Sequence, residues 1–350
     1  MSIEFPTKIL RPELDLSPAF TVSEVPHRAK LDQNESPFDV PQEVKGEILA
    51  ELAASRWNRY PQPAQYAAIK LEFATALGLP ADRVVITAGC DQMILLAYWA
   101  AGGPGRTARF FEPTYPMFGH FALITSTSAD RAVLGPELDV ASHGLGDPVD
   151  LLLLVTPNNP TGDGPNRELV LEALERDCLV FVDEAYADFD PEGSMIDLVA
   201  DHPNLLVGRS LSKSALAGAR LGYGVGHPDL IRVLERLLFA PYHLSSLQLA
   251  VARHFGSIRP HLADRVAAIR RERDRVHAEI AELSLRAWPS RGNFLMFEVV
   301  DAKATYQGLL DRGVRIRDVS GLPGLTQHLR VTIGTPQENE LFLEALAAAV

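Results

Sequence analysis

Five short apolar runs constrain this chain more than anything else in it: residues 84–87, 108–111, 151–155, 179–182 and 205–207. Each is three to five residues long and ends on turn-forming or polar residues. Apart from Thr87 and Arg109 every position in them is apolar, which describes strands buried on both faces, and such strands need helices to cover them. Helical patterns fall between the runs, over about residues 91–101 and 168–175. Strand, helix and strand in succession build a parallel sheet with crossover connections. The fold class is therefore α/β, a mostly parallel central sheet flanked by helices.

Beyond about residue 228 the pattern changes. Residues 229–239 and 245–255 read as helices, and 261–285 as a long charged amphipathic helix. A strand over 294–299, a helix over 304–311 and a strand over 329–333 follow. The last helix opens with Thr335, Pro336 and Glu338, a cap, a first-turn proline and the glutamate of a capping box. Shorter and fewer elements predict a smaller α+β domain. The expected division is 1–36 as an N-terminal arm or part of the small domain, 37–245 as the large ligand-binding domain, and 246–350 as a connecting helix with the small domain. A chain of 350 residues can bury a core in each.

Lys and Arg number 33 against 45 Asp and Glu, a net charge of −12. Nucleic acids and anionic membranes reward clustered cations, so neither is the expected partner, although a few placed arginines can still hold a small anion. The longest apolar run, 93–101, is too short to span a bilayer, and MSIEFP is no secretory signal. Two cysteines, Cys90 and Cys178, suit a reducing compartment, so the expected location is cytoplasmic.

In α/β sheets chemistry collects just beyond the C-terminal ends of the strands. Those positions hold Gly89, Cys90 and Asp91; Pro113, Thr114 and Tyr115; Asn158 and Asn159; Asp183, Glu184 and Tyr186; and Ser210, Ser212 and Lys213. The segment from Gly208 to Ser214 approaches a phosphate-cradling P-loop, but Ser212 stands where that loop needs glycine. The same residue breaks a G-x-S-x-G nucleophile elbow around Ser210. The Gly222, Gly224 and Gly226 series lacks a nucleotide-type turn and suits close strand packing. There remains a lysine, which can form an imine with a carbonyl once it loses its proton. Hydroxyls, a helix start at Gly89–Cys90–Asp91 and Arg220 can hold a phosphate. A carboxylate can pair with a protonated ring nitrogen and an aromatic side chain can stack on the ring. Together they describe pyridoxal 5′-phosphate.

The order of these segments resembles the class I/II (fold-type I) pyridoxal-phosphate aminotransferases, most closely the histidinol-phosphate aminotransferase branch. The matching stretches are LDQNESPFDVP (31–41), WNRYP (57–61), EPTYPMF (112–118), TPNNPTG (156–162), VDEAYADF (182–189), RSLSKSALAGARLGYG (209–224), APYHLSS (240–246) and LRVTIGT (329–335). The resemblance implies that Lys213 carries the cofactor and moves the substrate proton, with Asp183 on the ring nitrogen and Asn159 and Tyr186 on the ring hydroxyl. It implies that Tyr115 stacks on the ring, while Cys90, Asp91, Ser210, Ser212 and Arg220 surround the phosphate. Tyr60, of NRYP, would reach the phosphate of a neighbouring subunit, which implies a homodimer with shared active sites. Arg330 and Arg317 would grip the anionic end of the substrate, a carboxylate in glutamate and a phosphate in histidinol phosphate; Asn34 joins them as a substrate-binding residue. The implied reaction carries the amino group of L-glutamate to imidazole-acetol phosphate, giving L-histidinol phosphate and 2-oxoglutarate in histidine biosynthesis. An aromatic amino-acid aminotransferase of the same branch, or a decarboxylase on the same fold, shares these residues.

Several positions depart from the family pattern. Seven steps separate Lys213 from Arg220, one fewer than usual. The only aromatic residues before residue 31 are Phe5 and Phe20, where the family carries a tyrosine over the substrate. Phe118 replaces a second aromatic tyrosine and His243 a proline, and His243 is read as a structural interface residue. The ten histidines are scattered with no metal-ligand spacing, so no metal is expected.

Overall fold

The computed structural model describes residue 11 and residues 26–350; the rest of the expected arm, including Phe5 and Phe20, lies outside the described residues. In chain order, the short strand Ala29–Lys30 (β1) precedes helices Gln42–Ala54 (α1) and Pro63–Leu77 (α2). Then come Val84–Thr87 (β2), Cys90–Ala101 (α3), Thr107–Glu112 (β3), Met117–Ile124 (α4), Ser128–Val133 (β4), Val140–His143 (α5), Leu151–Val155 (β5), Arg167–Leu174 (α6) and Leu179–Asp183 (β6). Leu205–Ser210 (β7) and Gly222–Gly226 (β8) complete the larger sheet, followed by Pro228–Leu238 (α7), Ser246–Arg253 (α8) and Phe255–Glu282 (α9). The chain ends with Phe294–Glu298 (β9), Ala302–Asp311 (α10), Val314–Arg315 (β10), Arg317–Asp318 (β11), His328–Thr332 (β12) and Pro336–Ala347 (α11).

Seven strands form one sheet in the order β2-β8-β7-β6-β5-β3-β4. All neighbours are parallel except β8, which runs antiparallel to both β2 and β7. The strand period of two divides each apolar run between two cores. Val84, Leu152, Leu154, Val180, Val182, Leu205 and Val207 face one core with α1, α2, α6 and α8. Val85, Leu151, Leu153, Phe181 and Leu206 face the other, with α3, α4 and α7. Glycine lets α3 approach closely: a Cβ on Gly224 would lie 2.3 Å from Met93 Sδ, and one on Gly222 would lie 2.8 Å from the Cys90 nitrogen. The start of α3 is thereby held against the strand ends.

Two strands of this sheet escaped the apolar-run reading. β4 is an edge strand whose only buried residue is Ala132, so it carries no apolar signature. β8 is the glycine series itself, which forms a strand rather than merely making room for one. No α-helix follows β7 directly. A π-helical turn at Ser212–Leu216 and a 3₁₀ turn at Ala217–Ala219 stand in its place.

The smaller sheet is antiparallel, ordered β11-β12-β9, while β1 pairs in parallel with β10. Ala29 and Leu31 share a core with Phe294, Phe297, Leu329, Val331, Phe342 and the later turns of α9. The boundary expected at residue 246 is not where the cores change. Leu249–Ala252 on α8 and Phe255, Ile258 and Leu262 on α9 pack with the large-sheet core, and only from Ile269 onward does α9 face the smaller one. α9 begins at Phe255 rather than 261 and runs through Pro260. α11 opens with the expected capping box between Thr335 and Glu338.

Candidate active site

The C-terminal end of β6 places Asp183 in the interior, 4% exposed, beside the start of α3. Its Oδ1 accepts the Ala185 N–H at 2.9 Å and faces Cys90 Sγ at 3.8 Å, so both partners sit on one oxygen. Burial pushes its pKa up to about 7; the Asp91 charge adds to this, while the Ala185 N–H, the Cys90 thiol and Lys213 oppose it. Among the described residues no cation forms an ion pair with this carboxyl, and a proton-bearing nitrogen placed against it would restore its charge. Cys90 is more than a backbone neighbour of the site. Burial holds its thiol well above the ordinary range, so it acts as a neutral donor.

Gly89 leads into α3 at φ +88°, and no side chain caps the helix. The first N–H groups of a 12-residue helix are thus left for an anion. Around them close Ser210, Ser212 and Arg220. Ser210 Oγ accepts the Ser212 N–H at 3.2 Å; Arg220 donates to Ser212 Oγ at 3.3 Å and to Asp91 Oδ2 at 3.4 Å. Arg220 reaches this point despite the short spacing; the π turn and a 3₁₀ turn lie between it and Ser210, and Arg220 itself adopts φ +51°. π turns of this kind recur at functional sites. Lys213, on the same turn, donates from Nζ to the Gln33 carbonyl at 3.2 Å and lies 5.7 Å from the centre of the Tyr186 ring.

Tyr115 donates to Asp91 Oδ1 at 2.9 Å, which ties the ring to the α3 start. Burial first, and then the Asp91 charge, keep its hydroxyl protonated. In TPNNPTG the two asparagines divide their work. Asn158 is buried and holds the loop, accepting from Thr114 at 2.6 Å and donating to the Pro113 carbonyl and Thr161, while Asn159 faces the site and accepts from Arg330. Asn34 Nδ2 donates to Tyr186 Oη at 2.9 Å.

Arg330, on β12, is buried; it also donates to the Asp32 carbonyl at 2.6 Å and lies over the Phe294 ring. Arg317 sits opposite it across the ladder. Burial, with the Arg317 charge adding to it, lowers the Arg330 pKa to about 10 against the pull of Tyr186 and Asp32. Among the described residues no carboxylate lies within ion-pair distance of Arg330, and its buried Nε has no hydrogen-bond partner. A buried guanidinium in that condition is built to receive an anion.

Tyr60 is not part of this cluster. It is 78% exposed and meets Tyr242 edge-on, 5.8 Å between ring centres. His243 serves its own chain, through Nε2 against the Ile86 carbonyl at 2.9 Å and an edge contact with Tyr66; burial lowers its pKa. The sequence reading did not find the Cys90–Asp183 contact or the roles of Asp32, Gln33, Thr332 and Asn293, which depend on segments far apart in the chain. One available signal was the position of Thr332, two residues beyond Arg330 and so on the same face of the strand.

The donor set fits pyridoxal 5′-phosphate. An uncapped helix start with Arg220 suits the phosphate, a buried acid in need of a cation suits the ring nitrogen, and a lysine shares the π turn with Ser212. The family model described as aminotransferase class I and II matches residues 26–346. A histidinol-phosphate aminotransferase of Chlorobium phaeovibrioides is 34% identical over 334 residues, covering 91% of this chain and 90% of that one. One from Frankia casuarinae is 38% identical over 344 residues, with 92% and 85% covered. Among solved structures, the Sinorhizobium meliloti histidinol-phosphate aminotransferase in complex with pyridoxal-5′-phosphate superposes with a TM-score of 0.85. It is 23% identical and covers 99% of this chain and 98% of that one.

Proposed function

We propose, from the premise that this chain belongs to the class I and II aminotransferase family, that it carries the amino group of L-glutamate to imidazole-acetol phosphate, giving L-histidinol phosphate and 2-oxoglutarate. The family depends on pyridoxal 5′-phosphate, which when bound supplies an electron sink that makes the substrate Cα–H acidic. Asp183 holds the proton-bearing ring nitrogen and is itself returned to the charged form by it. Lys213 would hold the cofactor and would move the proton at the substrate Cα. Tyr186 and Asn159 address the ring hydroxyl, and Tyr115 covers a ring face. The α3 start at Cys90 and Asp91, with Ser210, Ser212 and Arg220, holds the phosphate.

Arg330 is the observation that carries the substrate assignment. A buried cation with no carboxylate of its own and Arg317 beside it accepts either a carboxylate or a phosphate ester, as a two-substrate cycle requires. Relatives that bear the histidinol-phosphate aminotransferase name across 91% of this chain support the same choice. The exposed aromatic group of Tyr60, Tyr242 and Phe239 supports a homodimer in which Tyr60 completes the neighbour's phosphate site. Two free cysteines suit a cytoplasmic enzyme. Residues 37–262 form the cofactor-holding part in this reading, and the remainder, with residues 26–36, carries the substrate anion.

The test is a single turnover on cofactor-loaded protein without any oxo acid. Histidinol phosphate should bleach the visible band at far lower concentration than phenylalanine does. Bleaching by phenylalanine alone would make the enzyme an aromatic aminotransferase, and release of carbon dioxide would make it a decarboxylase.

A further inference from the structure

Three consecutive residues after β1 each touch a different side chain of the site. The Asp32 carbonyl accepts from Arg330, the Gln33 carbonyl accepts from Lys213, and Asn34 donates to Tyr186. Asn34 is 1% exposed and sits at φ +53°, a left-handed conformation that asparagine tolerates better than most residues. Thr332 Oγ1 accepts the Asn34 backbone N–H at 2.9 Å and donates its own proton to Asn34 Oδ1, also at 2.9 Å. That arrangement uses both capacities of the hydroxyl and turns the amide NH₂ toward Tyr186. Tyr186 Oη receives that hydrogen bond, and among the described residues no acceptor takes the tyrosine's own proton.

We propose that Asn34 is a positioning residue rather than a substrate contact: held by Thr332, it makes Tyr186 an obligatory donor toward the cofactor's ring oxygen. The proposal rests on the reading that Tyr186 faces that oxygen. Asn293 steadies the arrangement by donating to the Asn34 carbonyl at 3.0 Å. Because Thr332 and Arg330 share a face of β12, the strand that grips the substrate anion also sets the tyrosine proton.

The experiment is a pH titration of the visible absorbance of cofactor-loaded protein, with the melting temperature of the cofactor-free variants as a control. A hydrogen bond donated to the ring oxygen draws off its negative charge, so a proton shared beside it is held less tightly. Asn34→Ala and Thr332→Val should each move the transition upward by roughly half a pH unit, the value of one modest hydrogen bond. Thr332→Ser, which keeps the hydroxyl, should restore the parent value. In a Tyr186→Phe background, Asn34→Ala should add nothing. An equal increment in that background overturns the proposal. So does an unmoved transition in Asn34→Ala accompanied by weaker substrate binding, which would return Asn34 to the substrate. If Tyr186→Phe itself moves nothing while Lys213→Ala abolishes the visible band, the proposal falls and the assignment of Lys213 stands. If the parent protein forms no visible band, the proposed function fails as a whole.

Discussion

Two largely enclosed arginines, one behind the strand ends of the large sheet and one on the small sheet, show opposite treatments of the same charge. Arg209 on β7 has its Nε 2.8 Å from Glu184 and a second carboxylate, Asp188, at 3.7 Å; Ser194 completes the group. Burial works to lower its pKa, but Glu184 and Asp188 hold it above the ordinary range. Arg330 lies deeper, finds only carbonyl and amide hydrogen-bond partners among the described residues, and falls to about 10. The first is a closed unit that ties the ends of β6 and β7 together next to Asp183 and Ser210. The second is left open. Burial alone therefore does not mark a functional cation; the missing counter-charge does.

The largest expected effect lies between the two regions. Lys213→Ala should abolish turnover while circular dichroism stays unchanged, and retained activity would remove the mechanism from both sides of the comparison. Next comes Arg330→Met. Substrate affinity should fall by about 100-fold, as for loss of one partner of a buried charge pair, with the melting temperature held or raised because an unpaired cation has been removed. Glu184→Gln should do the reverse, costing about 3 kcal/mol of stability in a denaturant titration by stranding Arg209, with a much smaller change in substrate affinity. Equal effects of the two substitutions on stability would erase the distinction.

The last contrast is a pH dependence. The folded pKa of Asp183, about 7, lies above its ordinary 3.8. The group therefore favours the folded state below about pH 4, and that contribution is lost as pH rises through about 7. Cofactor-free Asp183→Asn protein should melt higher than the cofactor-free parent near about pH 8, with the gap closing near about pH 5. Bound cofactor should reverse the order at the higher pH, since its cation then pairs with the carboxylate.

The sequence exposed the parallel strands because burial on both faces leaves apolar residues throughout β5, the first four positions of β6 and the start of β7. Edge strand β4, with one buried residue, carried no such mark, and β8 was hidden by its own glycines. Most of the site could be read because its residues follow strand ends in fixed order. The adaptation to the short Lys213–Arg220 spacing could not, since a π turn has no signature in residue pattern alone. Nor could the links from residues 32–34 to β12 and Tyr186, which join positions up to 298 apart in the chain and exist only once both sheets have formed.

Helix α9 has 28 residues, about 42 Å of continuous backbone at 1.5 Å per residue, and spends its first turns in one core and its last turns in the other. Melting either core would strip half of that helix of its packing, and a fragment of some 14 residues is marginal in water on its own. The helix therefore ties the thermal fate of the anion-gripping sheet to that of the cofactor-holding one. The expected signature is one calorimetric transition from a chain that carries two cores.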